Sequence, residues 1–196
     1  IGDLAETRKG IDFLAGAVTL TYSGTDSVFA STLYSDPATG NEYVVVATKE
    51  KVILWNDSNN SGIDIDYPGS EVVASGDGAT FVQALEKLIL FRGSSKTPLE
   101  WDGDVSNDFV VKTSSPSGGR IACPNTDYGV WFRNRLIIPQ PADSNYTVLM
   151  SDLLSTSAFY EAESQFRINK GSADKLVGFY PYQEDQLIVF MRNSIH

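Results

Sequence analysis

The chain of 196 residues holds one cysteine, Cys123, and one histidine, His196. A single cysteine excludes an internal disulfide and a thiolate zinc cluster, and it fits a reducing compartment or a particle assembled in one. With the only His at position 196, a Ser-His-Asp arrangement lacks a base for its nucleophile and is not expected. Cys123, in "IACPN", has no base near it in sequence and reads as a small buried residue. Bases are scarce too: 15 Lys and Arg stand against 25 Asp and Glu, for a formal net charge of -10. That balance disfavours gripping nucleic acid or an anionic lipid surface. No apolar run approaches the ~18 residues that span a bilayer, since "FLAGAVTL" (13–20) is short and followed by polar residues. No membrane contact is expected, and no segment reads as a signal peptide. A Walker motif is missing, and "PSGGR" (116–120) has no helix after it to aim at a phosphate. No cofactor is therefore expected.

What the chain does have is repetition. Apolar triplets recur at Val52-Ile53-Leu54, Leu88-Ile89-Leu90, Leu136-Ile137-Ile138 and Leu187-Ile188-Val189. A short polar step precedes each, and before the step lies another strand-like run: "YVVVAT" (43–48), "TFVQA" (80–84), "YGVWF" (128–132) and "LVGFYPY" (176–182). Strand, tight polar turn, strand is a β-hairpin. Apolar residues at consecutive positions imply a strand covered on both faces, hence an inner strand of a sheet packed between neighbours. Further strands are expected at "VFASTLY" (28–34), "GIDIDY" (62–67), "PLEW" (98–101), "FVVK" (109–112), "YTVLM" (146–150) and "FRIN" (166–169). "VQALEKLILF" (82–91) has helix-forming residues, but the matching segments use β-branched ones, so it too is read as a hairpin. "LLSTSAFYEAES" (153–164) is left as a short helix or a long connection.

The fold class this predicts is all-β: a β-propeller or partial propeller of about four blade-like antiparallel sheets, with a β-sandwich as the alternative. Residues 1–22 read as an N-terminal arm or connection and 23–196 as the propeller-like body. The unfinished strand in "MRNSIH" suggests that the body is part of a larger chain.

Candidate chemistry is thin. "DSNNSG" (57–62) offers oxygen ligands at Asp57, Asn59 and Ser61 in the spacing of a calcium loop, but position twelve, where a bidentate Glu belongs, is Pro68. An Asn/Ser/Gly turn explains the same residues. Asp64 and Asp66 share one face of "GIDIDY", and Glu100, Asp102 and Asp104 surround Trp101. Either set could supply the carboxylate pair of a glycosidase, although 25 acids produce such neighbours by chance. Trp101, beside Asp102-Gly103, is the tryptophan expected at the surface and the candidate ligand aromatic. Tyr146 and Tyr160 would join it in a carbohydrate-binding propeller.

Several phrases resemble the β-propeller regions of tail nozzle, or tail tubular, proteins of short-tailed bacteriophages. They are "TRKGIDFLAG" (7–16), "TPLEWDGD" (97–104), "VWFRNRLIIPQPADSNYTVLMSD" (130–152) and "ADKLVGFYPYQEDQLIVFMRNSI" (173–195). The resemblance implies a non-enzymatic structural part of a virion, assembled in the host cytoplasm. Its copies would form a homo-oligomeric ring with other tail proteins, and DNA would pass through without specific binding. The acids Asp64, Asp66 and Asp77 would then be channel-facing, since an acidic wall repels phosphates.

Overall fold

A sheet can bury both faces only if its strands alternate two apolar sets, and this chain does so repeatedly. In a computed structural model of the chain, the structure describes residues 27–56, 61–73, 78–112, 117–140, 147–160, 164–168 and 174–196. Among them there is no helix, and the fold is all-β. The first sheet runs β1 (Ala30–Ser35), β2 (Glu42–Ala47), β3 (Lys51–Asn56) and β4 (Ser61–Asp66). The second runs β5 (Thr80–Ala84), β6 (Lys87–Phe91), β7 (Leu99–Trp101) and β8 (Val110–Val111). The third contains β9 (Val130–Phe132), β10 (Arg135–Pro139), β11 (Thr147–Met150) and β12 (Gln165–Arg167). The fourth is the hairpin of β13 (Leu176–Tyr182) and β14 (Gln186–Met191). Every pairing is antiparallel between chain neighbours, and no sheet closes on itself.

The side chains of the inner strands divide between successive cores. On β6, Leu88 and Leu90 join the core shared with the first sheet, and Ile89 and Phe91 join the core shared with the third. On β10, Leu136 and Ile138 face the second sheet, whereas Ile137 faces β13 and β14. The apolar triplets of β6 and β10 therefore lie on strands buried on both sides, whereas Leu187 and Ile188 on β14 are only half-buried. The first strands of successive sheets lie against one another, β1 on β5, β5 on β9 and β9 on β13. The Gln83 amide fixes the first of these contacts: its Oε1 accepts from Ser35 N at 3.1 Å and its Nε2 donates to Ser35 O at 2.7 Å. Four sheets stacked in chain order along a line of first strands make a propeller-like arc with three cores in series.

One expected equivalence does not hold. The triplets at 88, 136 and 187 lie in the second strand of their sheets, but Val52-Ile53-Leu54 lies in β3, the third strand of the first sheet. The counterpart in that sheet is Val44-Val45-Val46 on β2. Counting from Val45 to Ile89, Ile137 and Ile188, the separations are 44, 48 and 51 residues, more even than those taken from Ile53. The physical reason is that both middle strands of a four-stranded sheet are covered, so either can carry a continuous apolar run. The segment 153–160 holds turns and isolated bridges rather than a helix; Phe159 pairs with Ile121 and Ser151 and is fully buried. The arm at 1–22 lies outside the described residues.

Tight turns set the hairpins. Arg133 and Asn134 both have left-handed backbones, φ 48° and 60°, as a two-residue turn between right-twisted strands requires. Gly103, at φ +92°, passes so close to Tyr34 and Glu86 that an added Cβ would meet the Tyr34 hydroxyl and stand 2.6 Å from Glu86 O. Gly103→Ala is expected to cost about 2–3 kcal/mol through strain and overpacking, read as a lower urea midpoint with unchanged slope.

Candidate functional site

Among the described residues a cluster of ionisable side chains is centred on Glu100, in the middle of β7. Pairing with Ile89 on β6 and Val110 on β8 turns its side chain toward the third sheet. Lys87 Nζ donates to Glu100 Oε1 at 3.0 Å, and Lys112, just past β8, pairs with Oε2. Thr156, from the loop after β11, donates to the same Oε2 at 2.6 Å and accepts from Lys112 Nζ at 2.9 Å. The Lys112 side chain is only 6% exposed and that of Glu100 12%. Two sheets are thus joined by a charged clamp set beside apolar cores.

Burial pushes the Glu100 carboxyl upward, but the Lys112 charge and the hydrogen bonds from Lys112, Thr156 and Lys87 outweigh it and hold the group below its ordinary range. Such a carboxylate is a poor general acid near neutral pH. Its contribution to stability is complete above the ordinary value of 4.5 and is lost as pH falls through the lower folded value. The melting temperature of the wild type should therefore drop more steeply between about pH 5 and pH 3 than that of Glu100→Gln. Parallel curves would deny the clamp its role. Nearby, burial raises the Cys123 thiol to about 12, which leaves it un-ionised and unreactive at neutral pH.

Trp101 requires a correction. It was expected at the surface and is fully buried: its ring packs against Tyr34 at 5.1 Å and Phe109 at 6.4 Å between centroids. Its Nε1 donates to Asp104 O at 2.9 Å and Asn107 O at 3.0 Å. The Asp-Gly turn beside it folds back over the indole, so its faces are closed to a ligand. Asp102 and Asp104 cap that turn, Asp102 accepting from Asp104 N and Asn107 Nδ2 and Asp104 accepting from Ser106 N. Glu100, Asp102, Asn107, Asp108 and Val110 border an open cleft of about 260 Å³. Tyr160 lies under the Arg120 guanidinium, 5.8 Å from ring centroid to Cζ. Tyr146 lies outside the described residues.

Asp64 and Asp66 are exposed on one face of β4, and Lys51 pairs with Asp64. β4 is the strand of the first sheet farthest from the line of first strands, so these acids do not border that line. Asp57, Asn59 and Asp77 fall outside the described residues. Ser61 opens β4. Among the described residues, no group of three or more His, Cys, Asp or Glu could hold a metal ion, and no helix is long and apolar enough to cross a membrane.

One constellation was not read from the sequence. Ser194 Oγ donates to Asp174 Oδ2 at 2.9 Å and stands 3.1 Å from His196 Nε2. In a catalytic triad the carboxylate orients the imidazole. Here it takes the serine proton itself, and Asp174 Oδ1 also accepts from Lys175 N, Asn193 N and Asn193 Nδ2. The group closes the turn that brings residues 194–196 back along β14, where Val189 and His196 exchange backbone hydrogen bonds of 2.8 and 3.0 Å.

No protein-family model, curated protein or solved structure matches this chain.

Proposed function

We propose that this chain is a structural assembly module of a tailed-phage particle, part of a nozzle or tube around a DNA channel. The observation that supports it is the serial arrangement of sheets, in which the second and third sheets spend both faces on their neighbours. Such a body transmits shape rather than closing around a small molecule. The tail setting comes from the phrases at 97–104, 130–152 and 173–195, which the structure resolves into β7 with its turn, β9–β11 and β13–β14. The acids on β4 belong to the periphery of the arc, so a channel they bordered would lie between subunits.

A carbohydrate-binding reading needs an open aromatic platform, and Trp101 does not offer one. The glycosidase reading needs a carboxyl group able to protonate a leaving group, and Glu100, held by two lysines, is poorly suited to that. The test is localisation: gold-labelled antibodies raised against the purified chain should decorate the tails of particles purified from the source culture. Chain found only outside particles would remove the reading.

A further inference from the structure

We propose that two copies of this chain pair about a twofold axis at the turn end of the second and third sheets, with Leu85 of each copy against Leu153 and Leu154 of the other. Among the described residues, the non-glycine residues with left-handed backbones are Leu85, Arg133, Asn134, Leu154 and Gln183. Arg133, Asn134 and Gln183 are polar side chains in exposed hairpin turns. The two leucines are out of place. Leu85, at φ 60°, opens the two-residue turn between β5 and β6. Leu154, at φ 57°, is the third residue of a turn closed by Ser155 N donating to Asp152 O at 3.2 Å. Both places favour Gly or Asn, because a left-handed backbone crowds a leucine Cβ against a carbonyl oxygen. Burial does not compensate, since Leu85 is 42% exposed, Leu153 59% and Leu154 58%. The fold gains nothing from leucine at these turns, so their apolar side chains point to a contact outside the chain.

The fold gathers these side chains at one end of the arc. Leu154 N donates to Asn134 O at 2.7 Å, which sets the 152–155 turn on the tip of the β9–β10 hairpin. Thr156, two residues on, and Lys87, two residues after Leu85, bind the two oxygens of the same Glu100 carboxylate. With β5 lying against β9, both turns stand at the same end. Charge divides across that end. On the Leu85 side, Asp36, Glu86 and Asp102 surround the Tyr34 hydroxyl, which burial and then their charge raise to about 12. Asp104 lies beside them, its N–H donating to Asp102. On the Leu154 side stand exposed Arg133 and half-buried Arg135, whose Nη1 donates to Ser151 O at 2.6 Å. The other bases here are paired within the chain, Lys87 with Glu100 and Arg120 with Asp152. Glu184 and Asp185 lie farther along the arc, at the tip of β13–β14. A partner of one charge sign would meet like charge on one side of the leucines. A second copy turned about a twofold axis sets acids against arginines and leucine against leucine, twice over.

The experiment is sedimentation equilibrium on the purified chain, joined to thermal melts. The chain should show a monomer–dimer equilibrium with a dissociation constant of about 1–100 µM, as suits a small contact. Leu85→Asn/Leu154→Asn should weaken pairing at least about tenfold. At concentrations too low for pairing, the same variant should melt about 2–4 °C above the wild type, because asparagine tolerates the left-handed backbone. Glu86→Arg and Arg133→Glu should each weaken the dimer, more at low salt than at high, and both changes on one chain should restore it. Val177→Asp, at an exposed site near the start of β13, should leave pairing unchanged. A monomer at every concentration up to about 0.5 mM would overturn the proposal and give the leucines to an unlike partner. A dimer indifferent to the asparagine changes, or a charge swap that restores nothing, would overturn it as well. So would a lower melting temperature of the asparagine variant, which would show that the leucines serve the fold. The pairing does not depend on the tail setting, which particle labelling tests by itself.

Discussion

Trp101→Ala should lower the stability of the chain by about 3–5 kcal/mol, the cost of emptying a large aromatic site in a packed core. The indole is fully buried, contacts Tyr34 and Phe109, and satisfies the carbonyls of Asp104 and Asn107. Its removal opens a cavity between the first and second sheets and frees the turn at 102–107. A fall in melting temperature of about 10 °C is expected, with loss of near-ultraviolet circular dichroism around the site. A surface tryptophan serving a ligand would instead change stability by less than about 0.5 kcal/mol. The measurement therefore separates the two roles directly.

Lys112→Met is expected to cost about 3 kcal/mol, because it leaves the Glu100 carboxylate short of its most buried partner. The value lies at the low end for a broken buried pair because Lys87 stays 3.0 Å from the other oxygen. Glu100→Met/Lys112→Met should come back to within about 1 kcal/mol of the wild type, since removing both charges also removes their desolvation penalty. Urea unfolding of the two single variants and the double gives the coupling energy. Additive losses would mean that the two groups act apart and that Thr156 is held by packing alone.

The hairpins were legible because their signals are local. Paired apolar runs around Glu86-Lys87 or Arg133-Asn134 specify strand, turn and strand within about ten residues. Burial on both faces was also legible, since Leu88-Ile89-Leu90 and Leu136-Ile137-Ile138 leave no polar side to wet. The position of a run within its sheet was not: β2 and β3 present the same consecutive pattern, and only pairing with β1 and β4 distinguishes them. Trp101 misled because Asp102-Gly103 is a surface signal, while the indole beside it is covered by Tyr34, 67 residues earlier. The Glu100 clamp had no local signature, since Thr156 lies 56 residues away, in the loop after β11. A propeller-like arc hides its cross-sheet polar contacts from any window of sequence.

Cores held in series have a kinetic consequence. Among the described residues each sheet packs on the sheets beside it, so the arc can fray from its outer sheets without losing its middle. Amide protons of β6 and β10, with a core on either side, should exchange with deuterium last, and those of β1 and β14 much earlier. Any neighbour packed on the first sheet or on the β13–β14 hairpin would act as a stopper against that fraying, slowing exchange there while leaving the central strands as they were.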